Sequence, residues 1–228
     1  MNKSKIALAC ALAAIPACAN PLTLDWVSPG NNPVGYYYVS PYTAEIQSTG
    51  QLITLYCIDF NHEVAPPLEW QANIQVLDQA NVPSLQYGNS TSDTGYSIWQ
   101  DYEAAAWLIT QMTGTTNPQQ QAIDQYAAWE IFLYPSNVSN WQASMDTQGA
   151  TFVSEVAAQY NAAFNVVQNG YTPTGWDVVT PDPAGLSTST QEFLTFASTP
   201  EPGSIILLGT ILVAVGTITR MRMTKRRQ

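Results

Sequence analysis

The chain has 228 residues, a formal net charge of −10 and a composition that is 46% hydrophobic and 11% aromatic, which excludes a disordered chain. All seven Lys and Arg stand at the two ends, with none from Ile6 to Thr219, while all 17 Asp and Glu fall inside that stretch. Such a polyanion repels nucleic acid and anionic lipid, so it is expected to bind no nucleic acid, and its electrostatic partners would be cationic.

In chain order, the first element is "MNKSKIALACALAAIPACAN". Lys3 and Lys5 precede an apolar run, Ile6 to Ile15, that is too short to span a bilayer, and Ala17-Cys18-Ala19 forms a small-residue cleavage site. This is the pattern of a secretory signal peptide over 1–19. Cleavage removes Cys10 and Cys18 and leaves Cys57 as the one remaining cysteine of three. Lipoprotein processing at Cys18 is the alternative, and Pro16 fits it poorly.

The ectodomain, 20–198, opens with β patterning. "GYYYVSPYTAEI" and "GQLITLYCIDF" are runs of strand formers bounded by Gly, Pro and Asn. "EWQANIQV" alternates, with Trp70, Ala72, Ile74 and Val76 on one face. A polar loop follows from Pro83 to Gly95.

Three helices come next. Ile98, Tyr102, Ala105, Ile109 and Met112 keep helical spacing through the first. Asn117 and Pro118 are an N-cap and first-turn pair for the second, expected to end near Pro135. The third is expected from about Thr147 to Asn169, terminated by Gly170. Two strands, "GWDVVT" and "QEFLTFAS", close the domain. Strands, then helices, then strands predict an α+β fold: an antiparallel β scaffold, sandwich or barrel, with an inserted helical subdomain.

The final segment, 199–228, has three parts. Pro200-Glu201-Pro202 precedes an apolar stretch, Ser204 to Thr219, and then Arg220, Arg222, Lys225, Arg226 and Arg227. The basic cluster acts as a stop-transfer signal and favours the cytoplasmic side. As a helix the apolar stretch reaches roughly 24 Å, short of the roughly 30 Å hydrocarbon core, and it is expected to be a single transmembrane helix that anchors the chain in the inner membrane. The three parts in this order resemble the PEP-CTERM sorting signal of Gram-negative bacteria. The resemblance implies processing by an exosortase, removal of the tail, and delivery to the cell surface or an exopolysaccharide matrix.

An odd cysteine in an exported chain is a buried thiol, an intermolecular disulfide, a reactive thiol, or one consumed by another group. Strand alternation groups Cys57 with Ile53, Leu55 and Asp59. On the second helix Gln125 lies along the apolar stripe between Ala122 and Trp129, where a carboxamide is costly unless it is used. "YCIDF", Tyr56 to Phe60, together with "DQYAAW", Asp124 to Trp129, resembles the paired signature of bacterial Cys-Gln thioester domains, which are surface adhesin modules. The resemblance implies an internal thioester between Cys57 and Gln125, with Tyr56, Asp59, Asp124 and Trp129 around it. A partner's surface amine or hydroxyl, or an exopolysaccharide, would attack that bond. Asp124 and Ala128 depart from the Thr and Ile usual in the family, and Gln111 is a second glutamine candidate.

Rival readings rest on other residues. His62, the single histidine, could pair with Cys57 as a cysteine hydrolase, but a separation of five residues sets them on opposite faces of a continuing strand. One His and one Cys fall short of a zinc site, and no acidic run has calcium-loop spacing, so no metal or other cofactor is expected. Seven Trp and twelve Tyr could serve carbohydrate binding, and a passive structural matrix protein is the blandest alternative. The expectation is a non-enzymatic, exported surface or biofilm-matrix protein.

Overall fold

Alternation and turn chemistry shape the β half of the molecule. The computed structural model describes residues 21–30, 32–62, 68–182 and 190–197; the expected signal peptide and the sorting segment 199–228 lie outside them. The strands are β1 (Leu22–Ser28), β2 (Asn32–Val34), β3 (Tyr37–Val39), β4 (Tyr42–Ile46), β5 (Gln51–Cys57), β6 (Glu69–Val76), β7 (Trp176–Pro181) and β8 (Phe193–Phe196). Six of them close into an antiparallel barrel in the order β1-β4-β5-β8-β7-β6. β2 and β3 form a separate hairpin. Gly35 at φ +61° supplies the left-handed residue of its two-residue turn, and a Cβ there would meet the Ser144 hydroxyl at 2.2 Å.

The run read as one strand from Gly35 to Ile46 is broken at Ser40-Pro41, because Pro has no N–H to give to a ladder. β1 adds a strand that the turn signals did not isolate. On β6 the alternation holds at Trp70 and Ala72, which are buried, and fades toward Val76, which is exposed where the barrel opens.

The barrel is filled by aromatic side chains. Trp26 lies 5.0 Å from Tyr42 and 6.4 Å from Trp70 between ring centroids, and Phe193 lies 6.2 Å from Tyr42. Rings of this size bury about 150–250 Å² each, roughly 4–6 kcal/mol of transfer free energy apiece. Outside the barrel wall, Trp176 of β7 stacks on Phe196 at 4.6 Å and donates its indole N–H to Thr110 of the helical layer at 3.2 Å.

Four helices stand between β6 and β7: α1 (Ile98–Thr113), α2 (Pro118–Ile131), α3 (Val138–Asp146) and α4 (Ala150–Gln168). Ser97 and Gln100 form a reciprocal capping box on α1. The Asn117 side chain accepts from Gln119 N at the start of α2, with Pro118 in the first turn. α2 stops at Ile131, earlier than the pattern predicts. Asn61 takes over at that point, donating to the Phe132 carbonyl and accepting from Tyr134 N. The segment before α4 forms a helix of its own, α3, and Gly149 at φ +92° separates the two.

This is an α+β fold with a closed barrel and an inserted helical layer. Among the described residues no helix is long and apolar enough to cross a membrane. Leu22 and Phe196, at the two outer ends of the barrel chain, line one cleft together with Gln51 and Leu52. Cys57 lies at the opposite end of β5, about 20 Å away at strand rise.

Buried carboxyls give the fold a pH signature. Glu192 is fully buried and accepts from Tyr102 Oη (2.5 Å), Thr180 Oγ1 (2.7 Å) and Gln86 N (2.9 Å), which ties barrel to helices. Burial raises its carboxyl to about 7, against the pull of those donors. Burial also raises Asp124 to about 6 and Glu130 to about 7. Each folded value lies above the unfolded one, so the native state holds these protons longer. The stability they contribute is complete below the unfolded values and is lost as pH rises through about 6 to 7. Denaturant unfolding is therefore expected to show a higher midpoint at pH 5 than at pH 8, with Glu192→Gln flattening the difference.

Candidate functional site

The site forms where β5 ends against the middle of α2. Side chains alternate along β5, so Cys57 shares a face with Leu55 while Tyr56 points the other way. The Tyr56 ring packs edge-on against Trp176 and Phe196, both at 5.7 Å, on the helix-facing side of the barrel wall. Cys57 is fully buried, as is Gln125.

A closed set of hydrogen bonds joins them. The Gln125 carboxamide donates from Nε2 to the Cys57 carbonyl at 2.5 Å and accepts at Oε1 from Ser40 N at 3.2 Å. Ser40 Oγ in turn accepts from Cys57 N at 2.9 Å. The Trp129 indole, one helical turn beyond Gln125, donates to Cys57 Sγ at 3.3 Å. The sulfur also meets the Asp59 backbone, its carbonyl at 3.2 Å and its N–H at 3.4 Å. Burial and then the Asp59 charge push the Cys57 thiol up, while the bonds to Asp59 and Trp129 pull it down. The neutral thiol is the resting form.

Beyond the end of β5, Asp59 is fully buried and organises the connecting loop. Its carboxylate accepts from Tyr87 Oη (2.5 Å), Asn61 N (2.8 Å), Gln86 Nε2 (3.0 Å) and Glu192 N (3.3 Å). It also holds His62 Nδ1 at 2.7 Å. Asp124 is buried on a different face of α2 from Gln125, and Gln120 donates to it at 2.9 Å. Gln111 stands in the last turn of α1, and the carboxamide bonded to Cys57 belongs to Gln125. Cys57 and His62 share no hydrogen bond here, since the thiol turns to Trp129 and Asp59 and the imidazole to the Asp59 carboxylate. That arrangement lacks the nucleophile–base pair a cysteine hydrolase uses.

An aromatic cleft of about 250 Å³ adjoins the buried pair. Its lining includes Tyr36, Tyr37, Phe60, His62 and Trp129. Phe60 sits 4.7 Å from Tyr37 and 5.3 Å from Trp129. Trp129 therefore borders the cleft while its indole N–H touches the sulfur, which makes it the partition between solvent and the pair.

Sequence reasoning missed Ser40, whose backbone and hydroxyl bridge Cys57 and Gln125. The available signal was Ser40-Pro41 inside a strand run. A proline there has no N–H to give, so the ladder breaks and the residues beside it find partners elsewhere.

Two solved structures are similar in overall shape. The N-terminal domain of the Streptococcus pyogenes pilus tip adhesin Cpa aligns over 81% of this chain and 97% of its own, at 10% identity and a TM-score of 0.48. The N-terminal thioester domain of a protein F2 like fibronectin-binding protein from Streptococcus pneumoniae aligns over 79% and 92%, at 11% identity and a TM-score of 0.40. At those scores the likenesses add nothing to the geometry above. No family model matches the chain, and no curated protein matches it in sequence.

Proposed function

We propose that the chain is a surface adhesin domain that captures its partner covalently through a Cys57–Gln125 thioester. The observation that carries this reading is the buried carboxamide of Gln125, held between Ser40 N–H and the Cys57 carbonyl while Trp129 holds the sulfur. The Ser40 N–H polarises the acyl oxygen and can stabilise the negative charge that gathers there when sulfur attacks. Attack forms the S–C bond and breaks the C–N bond, and ammonia leaves with the thiol proton. Enclosure by Trp129 and Phe60 keeps water from the product. A partner amine or hydroxyl then adds to the acyl carbon, the C–S bond breaks, and the partner stays joined to Gln125 by an amide or ester as the Cys57 thiol is regenerated. Between Ile6 and Thr219 the chain offers no lysine to quench the bond internally.

The sorting segment supplies the location in this proposal. Its PEP-CTERM resemblance supports delivery to the cell surface or an exopolysaccharide matrix after exosortase processing. Non-covalent carbohydrate binding is the second reading, favoured by the exposed rings of Tyr36 and Tyr38 at the cleft.

Intact-mass measurement tests the thioester. The folded domain is expected to weigh one ammonia less than its sequence and to gain one methylamine on treatment, with a titratable thiol appearing at the same rate. A full sequence mass together with a thiol that titrates only on unfolding would sink the reading.

A further inference from the structure

His62 has one ring nitrogen committed and the cleft in front of it. Its Nδ1 lies 2.7 Å from Asp59 Oδ2, a fully buried carboxylate that four other donors also hold. A carboxylate so engaged has only acceptor sites, so the shorter Asp59 contact assigns the proton to Nδ1 over the Gln86 Nε2 at 2.9 Å, and in the neutral imidazole the lone pair lies on Nε2. The ring is part of the cleft wall, across which Trp129 touches the Cys57 sulfur. Among the described residues, the groups facing His62 are Asp59, the Gln86 carboxamide at 2.9 Å, and the Tyr134 ring at 6.3 Å, with the Glu192 charge further off. A buried acid that fixes the tautomer of a partly exposed histidine in the cleft wall leaves one basic nitrogen for the cleft.

Building on the thioester reading, we infer that His62 is the general base of the capture step, with Asp59 as its positioning residue. The partner amine enters the cleft as its ammonium ion and passes a proton to His62 Nε2. The neutral amine adds to the Gln125 acyl carbon, the C–S bond breaks, and the amine's second proton goes to the departing Cys57 sulfur. His62 returns its proton to solvent. Overall one ammonium and one thioester give one amide, one thiol and one proton. The Asp59 hydrogen bond raises the imidazole above its ordinary value, with burial opposing it. Capture should therefore accelerate as pH climbs past the usual histidine range.

The test uses the exported chain after processing and methylamine as the probe, followed by intact mass from pH 6 to 9. Wild type and His62→Gln are both expected to show the loss of ammonia. His62→Gln should take up methylamine about 10²-fold more slowly, the usual worth of a positioned base. Its rate should also lose the inflection near the histidine value and follow only the ionisation of methylamine. His62→Ala should be equally slow and should recover rate when imidazole is added, which a purely structural role of the ring would not produce. Equal rates for wild type and His62→Gln at every pH, with ammonia lost from both, would overturn the role of His62 alone. Full sequence mass in the wild type would overturn the thioester and His62's role with it.

Discussion

Cys57→Ala is expected to abolish covalent capture outright, and Gln125→Ala to do the same at a larger cost to the fold. Both variants should show their full sequence mass and take up no methylamine. The difference lies in what each leaves behind. Both forgo the cross-link; beyond that, removing the sulfur deprives the Trp129 indole of an acceptor in a buried site, a further loss of about 1–3 kcal/mol. Removing the whole Gln125 side chain takes the acyl oxygen from the Ser40 N–H and opens a cavity in the middle of α2, so about 3–5 kcal/mol beyond the cross-link is expected. Denaturant midpoints order the two, and mass spectrometry reports capture independently. Polysaccharide binding that survives in Cys57→Ala would favour the carbohydrate reading instead.

The second large effect is expected at Asp59. Five groups converge on its carboxylate: the Tyr87 hydroxyl, the Asn61 and Glu192 amides, the Gln86 carboxamide and His62. They come from the loop after β5, the segment before α1 and the entry to β8. In Asp59→Ala all five lose their acceptor inside the protein. Bonds to a charged acceptor are worth about 1.5–3 kcal/mol each, and domains of this size hold only about 5–15 in total. Asp59→Ala is therefore expected to unfold or to remain only marginally folded at 37 °C. Asp59→Asn keeps one oxygen and turns an amide toward the other donors, and about 3 kcal/mol of loss is the expected result. A circular-dichroism melt within a few degrees of wild type would show that the hub is dispensable.

Local chemistry made much of the architecture readable. Asn117 and Pro118 mark the start of α2, Gly170 the end of α4, and the alternation through Trp70 and Ala72 a barrel strand, because each depends on neighbours within a few residues. Where distant residues decide, local pattern misleads. α2 ends at Ile131 because Asn61 captures the next turn's backbone from across the fold. α3 has only nine residues and no side-chain cap bond at Asn137, so nothing local announces it before the helix expected from about Thr147. Ser40 meets Gln125 across 85 positions, a distance no periodicity reports. Resemblance drew attention to Cys57 and Gln125, but not to the serine between them or to the histidine anchored beside the cleft. Tyr56, adjacent to the cysteine in sequence, faces away from it because neighbours on a strand always do.

Cys57 and Gln125 touch across 68 positions, one at a barrel strand's end and the other within the helical layer. A bond between them would fasten the two layers as a cross-link, removing freedom from the unfolded chain worth about 4 kcal/mol for a loop of that length. Capture would open that loop, because the acyl group would pass to the partner and the sulfur would be released. The molecule would hold its catch in a slacker state than the one in which it waited, with hydrogen bonds and packing alone keeping the layers together.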